Sequence, residues 1–242
     1  MIFFKRNSKN YCFIHVPKTA GTSLQNTIIK EKLEDKEYNL IFKNYMDKHQ
    51  CKFDHTPFYF INSFFSKKFN LQESIHYVSI VRNPWHRMAS LFEQELLRDV
   101  VGFSKKTALN KDIRNYLNKS YETNTQVLLK YLCFFDHNKR KDLFKFWLFY
   151  LGLNRKILPF FNPNLNVLPQ SWWLVDELDN KIIENIFMFE NLKSLEVNYK
   201  IKLSHENEKK IKFNYSDYYD QQTIDYVSIL DKYVIEKFGY DF

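Results

Sequence analysis

Apolar and polar positions along the chain fall into short β-type runs, each handing over through a tight turn to a helical pattern. Tyr11–Val16 (YCFIHV) is one such run, rich in β-formers and long enough for one buried strand. Pro17 halts it, because proline has no N–H to give to a ladder. The small residues Thr19, Ala20, Gly21, Thr22 and Ser23 follow, and Leu24, Ile28, Ile29 and Leu33 then recur at spacings that predict one buried helix face. His76–Val81 (HYVSIV) is a second β-type run, ending in Arg82-Asn83-Pro84. Pro84 suits the first turn of a helix, and Trp85, Met88, Ala89, Phe92 and Leu96 mark that helix's buried face. Ile186–Phe189 predicts a third strand, followed by the step FENL (Phe189 to Leu192). Residues 35–53 are mixed and charged and predict a helix end and a loop. Ile224, Val227, Leu230, Val234 and Phe238 predict one amphipathic helix near the C-terminus. Strands alternating with helices in this way place the chain in the α/β class.

Composition narrows the setting. The 242 residues suit one α/β domain spanning 1–242, with a helical insertion around 98–163. Hydrophobic content of 45% is ample for a core, and only 4 Gly argues against a chain of many tight β turns. A net charge of +8 fits nucleic acid, anionic lipid, or a polyanionic small ligand or glycan as partner. Cys12, Cys51 and Cys133 are odd in number and far apart, giving neither a disulfide framework nor a metal spacing. The apolar part of MIFFKRNSKN is too short for a signal peptide or membrane anchor, which predicts a cytoplasmic protein. Lys139–Phe161 surrounds FWLFYLGL with basic clusters; it predicts a core helix with solvated ends. A peripheral membrane contact or a cap over an acidic acceptor stays open there.

The first strand and its turn carry the chemistry. Strand, small-residue loop and helix start present consecutive amide N–H groups and a positive helix terminus to an anion. Gly21 there could take positive φ or let a ligand approach the backbone, and Lys18 adds a mobile cation. The nucleotide loop G-x-x-x-x-G-K-[ST] places its lysine after the glycines, whereas Lys18 precedes Gly21. The order Pro-Lys-Thr-Ala-Gly-Thr-Ser resembles the 5′-phosphosulfate loop of sulfotransferases that use 3′-phosphoadenosine 5′-phosphosulfate (PAPS), most closely in the carbohydrate-sulfating branch. About sixty residues on, Arg82 to Ser90 reads R-N-P-x-x-R-x-x-S, which resembles the 3′-phosphate motif of the same superfamily. Arg87 lies on another helix face and ranks behind Arg82 and Ser90.

The resemblance implies a parallel sheet flanked by helices, nucleotide-kinase-like in architecture, and sulfuryl transfer from PAPS to a carbohydrate hydroxyl without a metal. It implies that amides of Thr19 to Ser23 cradle the 5′-phosphate while Lys18 neutralises charge on the bridging oxygen as 3′-phosphoadenosine 5′-phosphate (PAP) leaves. Arg82 and Ser90 would then hold the 3′-phosphate. His55, between the two motifs, matches the second histidine of the family's His-x-His element and is the expected general base, although Phe53 stands where the first would be. His15, His49 and His76 are the other candidates. Leu168–Trp173 (LPQSWW) resembles the Pro-Gln element near the acceptor, so Pro169, Gln170 and Trp172 are the expected substrate-binding residues. Lys212–Tyr219 resembles the nucleotide lid, making Asn214 and Ser216 further candidates. Glu190 is expected to organise the sheet's end. An ATP-dependent phosphotransferase would want a metal-holding acid at a strand end, and neither Val81-Arg82 nor Phe189-Glu190 looks like one. A catalytically inactive basic module would be expected to lose Lys18, Arg82 or Ser90. No nucleic-acid partner is expected.

Overall fold

A computed structural model describes residues 1–48, 56–58, 61, 75–100, 141–149, 168–175, 183–203 and 214–242. Its sheet has four strands in the order β1-β2-β3-β4: β1 Ile2–Arg6, β2 Lys9–Ile14, β3 His76–Val81 and β4 Asn185–Met188. β2, β3 and β4 run parallel, and β1 pairs with β2 antiparallel, so the sheet is mixed. The sequence pattern did not predict β1. Its turn, Asn7-Ser8, holds both residues at positive φ (48° and 59°), the backbone of a two-residue hairpin whose twist matches its strands. An asparagine between two apolar runs was the available signal.

The chain gathers into two compact units. The first comprises Met1–Asn83, Leu168–Ile211 and Tyr233–Asp241 and contains the whole sheet. Its core joins Phe4, Phe13, Val78 and Ile80 of the strands to Leu24 and Ile28 of α1 (Gly21–Lys30). Ile29, expected on that buried face, is 50% exposed. Helical positions advance about 100° per residue, so Gly21, Leu24, Thr27 and Ile28 share one buried arc of α1 and Ile29 falls beyond its edge. The outer edge of β1 is covered by residues 33–39: the Lys5 N–H donates to Leu33 O (2.9 Å), and Asn39 exchanges two bonds with Phe3. Covering an edge this way removes a template for pairing with another chain. Asn39 lies in α2 (Lys36–Lys48), a full helix where a helix end and a loop were expected. Asp35 caps it, accepting from Tyr38 N at 3.2 Å, and Phe42 and Met46 bury one face.

The second unit comprises Pro84–Val167, Lys212–Lys232 and Phe242. It includes α3 (Pro84–Val100), a helix over 141–149, and α5 (Gln221–Leu230); α4 (Leu192–Tyr199) belongs to the first unit. Trp85, Met88, Ala89 and Phe92 are buried on α3 as their spacing predicts. Phe144 and Trp147 meet Phe92, and Phe144 also packs on Tyr218 and Tyr219, so residues 141–149 form a core helix of this unit. Arg87 is wholly buried, 3.6 Å from the equally buried Asp231. Asp231 also ends α5, so the single C-terminal helix expected is two: α5 and α6 (Lys232–Phe238).

Candidate anion-binding site at two strand ends

Past Ile14 the β2 ladder stops, but His15, Val16 and Pro17 remain buried. Lys18 and Ala20 then take left-handed conformations, φ 69° and 66°. Two non-glycine residues in that region cost on the order of 1–2 kcal/mol each. The buried Thr19 hydroxyl donates to Val16 O (2.8 Å) and so ties the turn to the strand it leaves. Ala20 is the N-cap of α1 and contributes no side-chain cap; the first intrahelical bond runs from Leu24 N to Ala20 O (3.2 Å). The amides of Gly21, Thr22 and Ser23 therefore have no acceptor within the helix, and the macrodipole adds positive potential at the same place. Lys18 is half-buried beside them, Thr22 is exposed and Ser23 half-buried.

Gly21 serves a purpose the sequence did not suggest. It is absent from the positive-φ glycines of the described chain. A Cβ there would overlap the imidazole of His15. His15 is 5% exposed and stacks on Phe13 at 5.8 Å. Its ring thus underlies the first residue of α1, and glycine makes room for it.

Arg82 follows the last residue of β3 and is 9% exposed. Its N–H donates to Gln170 Oε1 (2.9 Å) and its carbonyl accepts from Gln170 Nε2 (2.8 Å). Its guanidinium donates to Lys18 O at 3.2 Å and lies 4.2 Å from the centroid of the Phe189 ring. Burial brings the group down to about 10, with Glu190 and Tyr240 opposing, which leaves it charged at neutral pH. The next residue is also held: Asn83 N donates to Glu190 Oε1 (2.9 Å), while Tyr240 OH donates to Glu190 Oε2 (2.8 Å). Glu190 thus organises the sheet's end, as expected. The chain's last turn joins in, with Asn83 Nδ2 donating to Asp241 O (2.9 Å).

The sequence candidates divide accordingly. Lys18, Thr19, Ala20, Gly21, Thr22, Ser23 and Arg82 come together in the first unit, as does Gln170. Pro169 precedes a short 3-10 turn, Gln170–Trp173, in which Trp172 is half-buried edge-on to the fully buried Trp173 at 5.4 Å. Ser90, Asn214 and Ser216 fall in the second unit. Ser90 is half-buried, and Asn214 Oδ1 accepts from Ser216 N at 3.3 Å, so this pair caps its own turn. His55 and His49 lie outside the described residues. His76 is half-buried against Tyr11 at 5.4 Å. Phe189 and Tyr240 were not expected in the site; the FENL step named Phe189 but gave no hint that a guanidinium rests on it.

Among the described residues, no group of His, Cys, Asp and Glu is arranged to hold a metal ion, and no helix is long and apolar enough to cross a membrane. Compared with protein-family models, curated proteins and solved structures, the chain matches none.

Proposed function

We propose that this chain is a PAPS-dependent sulfotransferase that moves a sulfuryl group to a carbohydrate hydroxyl. The observation that carries the reading is the meeting of two motifs 64 residues apart, where the Arg82 guanidinium donates to Lys18 O at 3.2 Å. They meet at the carboxyl ends of adjacent parallel strands, where open α/β sheets take their ligands. The donor set suits a nucleotide bearing phosphates at both ends: uncapped amides and a lysine on one strand end, a buried charged arginine on the next.

The amides of Thr19 to Ser23 would hold the 5′-phosphate through the positive start of α1. Lys18, a point charge on a flexible stem, would follow negative charge onto the bridging oxygen as the donor bond breaks. Arg82, with its planar fork, would take the 3′-phosphate. Sulfuryl transfer asks the protein mainly for in-line positioning and charge stabilisation, as phosphoryl transfer does. The acceptor hydroxyl needs a base, and the family resemblance gives that role to His55. An acceptor sugar rests on the same resemblance, with Trp172 as its stacking surface.

The test is a thermal-shift comparison of PAP with ADP. Only binding to the native state raises the melting temperature. PAP should raise it clearly more than ADP at equal concentration. Arg82→Ala should abolish most of that difference, because a hydrogen bond to a charged group contributes roughly 1.5–3 kcal/mol. Equal shifts by ADP and PAP in the wild type would overturn the reading in favour of an ATP-type nucleotide.

A further inference from the structure

Gln170 is fully buried, and its amide meets both backbone groups of Arg82, at 2.9 and 2.8 Å. A primary amide presents a donor and an acceptor side by side, as the N–H and C=O of one strand residue are presented to its hydrogen-bonded partner. The paired residues of β3 end at Ser79 toward β2 and at Val81 toward β4. Gln170 therefore adds one rung at the residue where the sheet runs out. It does so under Arg82, the residue whose guanidinium must reach its place from the end of a long stem. That guanidinium is fixed in turn by Lys18 O and by the Phe189 ring, so small rotations of the Arg82 backbone would lift it off both.

We propose that Gln170 is a positioning residue for Arg82, and that through Arg82 it sets the preference for nucleotides carrying a 3′-phosphate. This rests on the sulfotransferase reading and moves Gln170 from the acceptor side of the reaction to the donor side. The molecule contains its own control. Asn39 makes the same pair of bonds to the backbone of Phe3, both 2.9 Å, on the outer edge of β1. There the amide closes an edge and has no arginine to aim.

The experiment measures Kd for PAP and for AMP, which lacks the 3′-phosphate, by titration calorimetry. In the wild type the ratio Kd(AMP)/Kd(PAP) should be well above one; a ratio near one defeats the sulfotransferase reading itself. Given a wild-type preference, Gln170→Leu should lower the ratio about tenfold or more, by weakening PAP and leaving AMP nearly unchanged. Asn39→Leu should lower the melting temperature and leave the ratio alone. In an Arg82→Ala background, Gln170→Leu should cause no further fall, because the two residues act as one unit. A Gln170→Leu protein that keeps the wild-type ratio, or loses AMP as much as PAP, would reduce Gln170 to an ordinary packing amide and overturn the proposal. Should Gln170→Leu not fold, hydrogen exchange on the unmutated chain decides. The Arg82 amide should exchange as slowly as those of β3 and slow further with PAP but not with AMP. Fast exchange, or equal slowing by both nucleotides, would overturn it.

Discussion

Between β2 and α1 the chain spends backbone strain to expose its amides, placing Lys18 and Ala20 in left-handed conformations. Past β3, Arg82 and Asn83 keep negative φ and are held from outside, by the Gln170 amide and the Glu190 carboxylate. The first end is built from its own neighbours, with Thr19 bonding back three residues. The second is built from chain 88 and 107 residues away. Under the proposed function the difference follows from what each end would offer an anion. Amides must be turned outward by the backbone itself, whereas an arginine needs only its Cα fixed and its stem guided. Strain buried in a local loop and support drawn from distant segments are thus two ways to fix donors in advance, as the proposed nucleotide site would require.

The contrast can be broken at either end. If the proposed function holds, Lys18→Ala should have the largest effect, slowing sulfuryl transfer by roughly 10²–10³-fold, in the range for a lost charge-stabilising donor. Arg82→Ala should act mainly through donor affinity, so a comparison of kcat with KM for PAPS separates the two ends; the same split for both would erase the distinction. Gly21→Ala should destabilise by about 1–3 kcal/mol in urea, the cost of overpacking, because the new methyl overlaps the His15 ring. Tyr240→Phe should cost about 1 kcal/mol by loss of its bond to Glu190 and should weaken PAP more than AMP, since it loosens only the Arg82 end. Ala20→Gly should be the mildest. It relieves a left-handed alanine at φ 66° against the entropy of glycine, and should raise stability by up to ~1 kcal/mol in the same denaturation assay. A destabilised Ala20→Gly would mean that the loop is not strained as described.

These two ends also explain what the sequence could and could not disclose. Loop 17–20, β3 and the buried face of α3 are local matters, and proline, small residues and periodicity report them directly. α2 was equally local but overlooked: Asp35 before Tyr38, Phe42 and Met46 is a cap followed by helical spacing, masked by the surrounding charges. The Gln170 rung, the Phe189 face and the Tyr240 bond depend on which segments the sheet brings together, and no spacing rule contains that. The same holds for Arg87, which pairs in the core with Asp231 across 144 positions of sequence and is bound up in that pairing. Its charge suggested a ligand only because the partner was out of sight.

Positions 15 and 21 share one volume, and that makes them a single unit of inheritance. While the imidazole of His15 fills the space, any side chain at 21 is excluded; once the ring is gone, alanine becomes admissible and even favourable as the opening residue of a helix. A double exchange, His15→Ala with Gly21→Ala, should therefore recover stability that Gly21→Ala loses alone. In diverging copies of this gene, the two codons would be expected to change together or not at all.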